Sequence, residues 1–407
     1  MPRARPLTAL VVALGVVLAS SSVASAQYTG LGIRPDVSIL PEGLRGPLII
    51  YPTLTLGAEY NDNIFLNNAS KESDFVMAAT PGIRLLLNSP TYSWSAGYSF
   101  TAEKYLDHTN LDNVFQRQVF FVNGTHRLNP QLTLTLSEVF VESNDSNVVT
   151  AEGIAVGRRK ARSNTFNPGL LWQFTPLTAL RVNASYVLSR YDGVDAVNSD
   201  IYRAAADVEH AFTQRLTGIA GYELAYIDVD GQVGLTTHTP RIGATYRFTQ
   251  FLTGSFLAGP VIRQSSQDTG ISPFATASLV NRFSWGSAGL FFARTVGTAG
   301  GIGGTTENTA VGGNVQVTNL LRGLLLELAP RYNMSHSTAG NAIDVSSISI
   351  DFRASYQFTT WLAAVAGYRF FQQRSDSSST NISAIATDVD QNRVFLGLQF
   401  GIPFRFD

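Results

Sequence analysis

The sequence predicts an all-β protein: a transmembrane antiparallel up-and-down β-barrel of about 18 strands. Three observations predict it. A nine-residue phrase recurs along the chain, the segments around it alternate between polar and apolar residues, and the connections alternate between very short and long. A fixed repeat is read first because it sets the architecture. The phrase stands as WQFTPLTAL (Trp172 to Leu180), HAFTQRLTG (His210 to Gly218), YRFTQFLTG (Tyr246 to Gly254) and YQFTTWLAA (Tyr356 to Ala364). Looser copies are HRLNPQLTL (from His126), NRFSWGSAG (from Asn281) and VQVTNLLRG (from Val315). The residue just before each turn marks the register: Leu87, Leu128, Phe174, Phe212, Phe248, Phe283, Val317, Phe358 and Phe406, spaced 34 to 48 residues apart.

Taken from the N-terminus, residues 1–26 read as a secretory signal peptide, with Arg3 and Arg5, an apolar run from Leu7 to Leu18, and Ala24-Ser25-Ala26 before Gln27. The run is shorter than the roughly 20 apolar residues of a spanning helix. Residues 27–50 hold no period and many breakers (Gly30, Gly32, Pro35, Pro41, Gly43, Pro47), so they form either a plug in the lumen or a periplasmic leader. Residues 51–407 form the barrel. Strands run outward from near Tyr51, Thr91, Gln131, Thr178, Arg215, Leu252, Gly286, Arg322 and Trp361, and each is followed by a returning strand that ends at a register mark. Both termini are then periplasmic. A count of 16 is the alternative, because alternation is poorest from Ile271 to Phe283 and from Gly286 to Val296.

Alternation is cleanest in Ser347 to Phe358. Ser347, Ser349, Asp351, Arg353, Ser355 and Gln357 share one face; Ile348, Ile350, Phe352, Ala354, Tyr356 and Phe358 share the other. Leu54, Leu56, Ala58 and Tyr60 stand likewise against Thr53, Thr55 and Glu59. In an outer-membrane barrel the apolar face meets lipid and the polar face lines a lumen. The positions two before the marks (His126, Trp172, His210, Tyr246, Tyr356, Phe404) place an amphipathic ring at one end, as an interfacial girdle requires. Short periplasmic turns and long outer loops complete the pattern.

On AEYNDNIF (Ala58 to Phe65), the repeated Phe-Thr turn and NRVFLGLQFGIPFRF (Asn392 to Phe406), the chain resembles the outer-membrane β-barrel porin family known as porin-2-like. The resemblance spans nearly all of the mature chain. It implies an outer-membrane location and a pore-like or export-associated role, with the outer-membrane assembly machinery as a partner. Asp407 departs from the terminal aromatic such machinery reads, one residue beyond Phe406.

Composition narrows the chemistry. The chain has no cysteine, which removes thiolate and disulfide chemistry, and its net charge of −1 offers no basic footprint for nucleic acid. The five histidines, His108, His126, His210, His238 and His336, lack metal-ligand spacing and no nucleophile is paired with them in sequence, so no enzyme and no cofactor is expected. Gly300 to Gly304 reads as a flexible external loop, without the lysine of a phosphate-binding loop. The acidic loop pieces (Asp192, Asp195, Asp200; Asp228, Asp230; Asp388, Asp390) read as solvated.

The strongest functional signal is the polar face. Alternation places 14 arginines there: Arg84, Arg117, Arg127, Arg181, Arg203, Arg241, Arg247, Arg263, Arg282, Arg331, Arg353, Arg369, Arg393 and Arg405. Seven acids face them: Glu59, Glu103, Asp207, Glu209, Glu223, Glu327 and Asp351. Among these, Arg181, Arg203, Arg241, Arg247, Arg331, Asp351, Arg353, Arg369 and Arg393 are expected to line a pore. Such arginines either brace the wall by pairing with acids or bias a channel toward anions. Two functions remain open: a passive channel for small hydrophilic solutes with a weak anion preference, or a non-conducting structural or assembly component of exopolysaccharide export.

Overall fold

Short hydrogen-bonded turns set the register of the whole sheet. At Thr175, Thr213, Thr249 and Thr359 the side-chain Oγ1 accepts from the amides two and three residues on, at 2.9–3.3 Å. Asn129 Oδ1 does the same for Gln131 and Leu132, both at 2.9 Å. The amide of the preceding mark, as in Phe212, Phe248 and Phe358, donates to the carbonyl of the leucine that opens the next strand, at 3.0 Å. Satisfying the turn amides locally is what threonine and asparagine contribute at such positions.

The computed structural model describes residues 47–148, 153–193, 196–266, 269–338, 343–375 and 388–406. The expected signal peptide, most of the 27–50 segment, Asp195 and Asp407 lie outside these residues. The strands are β1 (Leu48–Asn61), β2 (Asp74–Asn88), β3 (Tyr92–Phe100), β4 (Ala102–Tyr105), β5 (Gln118–Arg127), β6 (Leu132–Asp145), β7 (Arg158–Gln173), β8 (Thr178–Tyr191), β9 (Ser199–Ala211) and β10 (Leu216–Val229). They continue as β11 (Leu235–Arg247), β12 (Leu252–Gln264), β13 (Thr269–Phe283), β14 (Gly286–Thr298), β15 (Thr305–Val317), β16 (Leu324–Ser337), β17 (Asp344–Gln357), β18 (Leu362–Ser375), β19 (Val389–Gly401) and β20 (Phe404–Phe406). The first strand thus begins inside the segment read as irregular, at Leu48.

Neighbours in sequence pair antiparallel, and β1 pairs with β2 on one side and with β19 on the other, in register Leu56↔Leu398. The ring is closed. β3 and β4 are one wall strand interrupted at Thr101, and β19 and β20 one interrupted at Ile402 and Pro403, so the wall has 18 strands. Closure leaves no general sheet edge, which is the condition for a sheet to sit in hydrocarbon. The 16-stranded alternative is excluded, because both poorly alternating segments are wall strands.

The outer face carries an apolar belt. Leu54, Leu56, Tyr222, Phe256, Leu290 and Leu396 point outward and are exposed, and Ile242 is 70% exposed. A belt of this extent on a closed barrel is stable against lipid and would be a liability in water. At the short-turn end, Trp172–Phe174, His210–Phe212, Tyr246–Phe248 and Tyr356–Phe358 meet edge to face at 4.9–5.5 Å, forming the ring that the repeat foretold. Among the described residues no helix is long and apolar enough to cross a membrane.

Candidate functional site: the barrel lumen

Strand register fixes which side chains enter the lumen. Arg181 on β8, Arg203 on β9, Arg241 and Arg247 on β11, Arg331 on β16, Asp351 and Arg353 on β17, Arg369 on β18 and Arg393 on β19 all occupy inward positions of their ladders. Three settings separate them.

At mid-wall the arginines are tied to acids. Arg241 holds Asp207 through two parallel hydrogen bonds, Nε to Oδ1 at 2.8 Å and Nη2 to Oδ2 at 2.7 Å, while its Nη1 donates to Glu223 at 2.7 Å. Arg203 Nη1 donates to the other Glu223 oxygen at 3.3 Å, and Arg181 Nε to Glu209 at 2.8 Å. Arg353 Nη1 reaches Glu327 at 3.3 Å. Gly221 makes room for the first cluster: a Cβ there would fall 2.0 Å from Asp207 Oδ1. Forked guanidinium–carboxylate pairs of this kind fix geometry as well as charge. Arg331 differs, with Nε donating to the neutral Asn333 at 2.7 Å and its guanidinium over Phe291.

Toward the long-loop end the charges are buried. Arg393 donates to Glu59 at 2.6 Å and also to Asp145; Arg117 reaches Glu103 at 2.9 Å and lies 3.8 Å from both Glu59 and Asp145. Arg158 extends the cluster through Tyr105 Oη at 2.9 Å, and Arg369 stands 3.8 Å from Asp351. Four arginines and four carboxylates balance. Sequence reading missed Asp145, Arg158 and Tyr105, which stand at the long-loop ends of β6, β7 and β4; the register between β6 and β7 also shifts between Ser143 and Asp145.

The third setting is the short-turn mouth. Inward Arg127, Arg247, Arg282 and Arg405 stand at or next to the ends of their strands, with Arg215 and Arg322 in the adjoining turns. None of the six forms an ion pair with a described residue. The nearby carboxylates Glu209 and Glu327 are already engaged.

The lumen is filled unevenly. Toward the long loops the β6–β7 connection is buried inside: Ile154 and Val156 pack with Val141, Tyr191, Ile302, Ile343 and Val345, and Ala155 with Leu66, Phe371 and Val389. Gln373 on β18, across the barrel, pins that connection by accepting from the Ala155 amide at 2.7 Å and donating to its carbonyl at 3.0 Å. Gly300 to Gly304, expected as an external loop, is buried among them, with Val197 bridged to Gly301. The correction has a physical cause: Ile302 supplies an apolar anchor that the glycine-rich composition concealed. A cavity of about 320 Å³ persists on the long-loop side of mid-height, lined by hydroxyls and amides including Ser163, Thr165, Asn308 and Asn333, by Val187, Ile201 and Met334, and by Arg203 and Arg331, with no carboxylate.

The histidines serve the wall and loops. His126 and His210 sit in the girdle, and His238 meets the Tyr222 hydroxyl. His336 faces Asp344 at 3.0 Å. His108 stands between two carboxylates, Nε2 at 2.7 Å from Glu72 and Nδ1 at 2.9 Å from Asp74, so both ring nitrogens are engaged. Those contacts, Glu72 first and Asp74 second, raise its pKa above the ordinary 6.5. Of the acidic loop pieces, Asp200 pairs with Arg190 at 2.7 Å and Asp390 with Arg374 at 2.9 Å. Among the described residues no group of three or more His, Asp or Glu could hold a metal ion.

No family model matches the chain, and no curated protein matches it. Among solved structures it is similar to Acinetobacter baumannii OccAB4, at 12% identity and a TM-score of 0.42 over 88% of this chain and 98% of that one. It is similar also to Pseudomonas aeruginosa OpdO, at 13% identity and a TM-score of 0.44 over 88% and 97%. A third is a BenF-like porin from Pseudomonas fluorescens Pf-5, at 11% identity and a TM-score of 0.44 over 87% and 99%. The barrel described above rests on its own strand pairing.

Proposed function

We propose that this protein is an outer-membrane channel passing small hydrophilic solutes, with a weak preference for anions. One observation carries the reading: a closed barrel with an apolar, girdled exterior encloses a cavity lined by hydroxyls, amides and two arginines, and its short-turn end is basic. Lipid covers the belt, residues 1–26 direct export, both termini lie on the periplasmic side with the short turns, and the assembly machinery inserts the wall. The anion preference belongs to Arg127, Arg247, Arg282 and Arg405, whose nearby acids, Glu209 and Glu327, are already engaged by other arginines. The pore-lining role extends to Arg203 and Arg331 at the cavity, whereas Arg181, Arg241, Arg353, Arg369 and Arg393, with Asp351, brace the wall.

A specific observation favours the second reading, a non-conducting component of exopolysaccharide export: the long-loop half of the lumen is filled by its own connections. Single-channel recording of the refolded barrel in a planar bilayer separates the two. Stable conductance steps support the channel. A barrel that migrates faster unheated than boiled on a gel, and so is folded, yet stays silent, supports the export component.

A further inference from the structure

Among the described strands, the wall opens at a seam between β13 and β14. β13 and β14 pair from Phe283↔Gly286 to Ala275↔Arg294 and no further, although β13 continues to Thr269 and β14 to Thr298. At that height the outer ladders are complete: β12 pairs β13 to Gln264↔Thr269, and β14 pairs β15 to Thr298↔Thr305. The outer edge of β14 has therefore parted from β13, while β15 behind it stays paired with β16 as far as Thr306↔Ser337.

It has moved inward. Val296 shares the outward parity of Leu290, which is exposed, yet Val296 is buried against Ile201, Ile227, Val229, Leu235, Val261 and Phe274 from the inner faces of β9 to β13. Arg203 on β9 donates to the Val296 carbonyl at 3.0 Å, and Val197 of the β8–β9 connection is bridged to Gly301 at the hairpin tip. The tip turns through Gly301, Gly303 and Gly304, with φ of +80°, +87° and +89°, values a side chain would strain. Arg294 and Glu307 pair at 2.6 Å where the hairpin departs.

Two arrangements compete for the same groups. Inward, the hairpin buries Val296 and its tip; outward, its free edge from Thr295 to Thr298 would complete the ladder with Ile271 to Phe274. Pro273 tilts the balance. It stands opposite Pro260, and two prolines cannot form a hydrogen-bonded antiparallel pair, so the Pro273 nitrogen faces the seam, where it can donate nothing. A wall position short of one donor keeps the inward position favoured at rest, and packed elements with two discrete seats are the usual basis of switching.

We propose that the outer half of the β14–β15 hairpin is a gate: inward it closes the long-loop mouth of the lumen, and it opens by re-pairing with β13. The proposal rests on the channel reading. With the hairpin out, continuing the ladder past Ala275↔Arg294 places Ser272 opposite Gly297, a non-hydrogen-bonded pair suited to a disulfide; the inward arrangement lacks that pairing. The chain has no cysteine of its own, so Ser272→Cys with Gly297→Cys in the full-length protein gives a clean trap. Under oxidant in lipid, the bond should form, read as a gel shift reversed by reductant, and conductance should rise at least twofold over the reduced form. A folded, heat-modifiable variant that forms no bond, or forms it without a change in conductance, overturns the gate. A companion variant with Ala299 to Gly304 replaced by Asn-Gly removes the tip; if it too is silent, the channel reading falls as well.

Discussion

Arg393 is almost fully buried and answers two carboxylates, Glu59 on β1 and Asp145 on β6. Arg393→Met would fill the space but leave both acids without a close partner, with Arg117, 3.8 Å from each, as the nearest counter-charge. Removing one partner of a buried pair costs about 3–5 kcal/mol, because the remaining charge stays desolvated. The urea midpoint of the detergent-solubilised barrel should fall accordingly, while Arg405→Met at the exposed mouth should leave it nearly unchanged. His108 offers a titration at the same scale. Its raised pKa means that the brace to Glu72 and Asp74 is complete below the ordinary value of 6.5 and is lost as pH climbs through the raised value. Ring-proton NMR should place that titration above 6.5 and return it to the ordinary value in Glu72→Gln/Asp74→Asn. A midpoint at 6.5 in the parent would refute the brace.

Turns and strands were the most legible elements, since their determinants are local. The Phe-Thr phrase places Thr Oγ1 against two amides within three residues, and nothing distant is needed to make that bond. Thr249→Ala should therefore cost about 1 kcal/mol, the ordinary worth of such hydrogen bonding. Strand polarity is equally local. Ile350→Arg, on the lipid face, should cost about 2–4 kcal/mol, whereas Ser349→Arg on the inner face should cost far less; equal losses would contradict the assigned faces. The seam at β13 and β14 lay beyond this logic. Alternation records which side of a strand a residue takes, and Val296 keeps the parity of a lipid-facing residue while the whole hairpin turns inward. Poor alternation from Ile271 to Val296 was the only trace in the sequence, and it marked these strands without revealing where they go.

For the whole molecule, the sequence named the inward arginines but not their partners. Arg241 and Asp207 are 34 residues apart on non-adjacent strands, and Arg393 and Asp145 are 248 apart, so their pairing depends on barrel closure. A ratio of two arginines per acid on the inner face therefore overstates the free charge. Most of the mid-wall excess is neutralised, and the unneutralised part collects at the short-turn mouth.

That distribution sets where selectivity should reside. If the channel prefers anions, the preference comes from a focused field at the mouth, where six arginines meet only engaged acids. Replacing Arg127, Arg247, Arg282 and Arg405 together by Gln should move the reversal potential in a salt gradient toward cations, with the urea midpoint held. Replacing Arg181, Arg241 and Arg353 should also shift it toward cations, but only by freeing Glu209, Asp207, Glu223 and Glu327, and at a visible loss of stability. The mouth effect should fade as salt rises from about 0.1 M to 1 M, because the screening length shrinks from about 10 Å to about 3 Å and the charges are exposed. A reversal potential that the quadruple Gln variant leaves unmoved would place selectivity elsewhere, at Arg203 and Arg331 beside the cavity, and would remove the mouth from the permeation path.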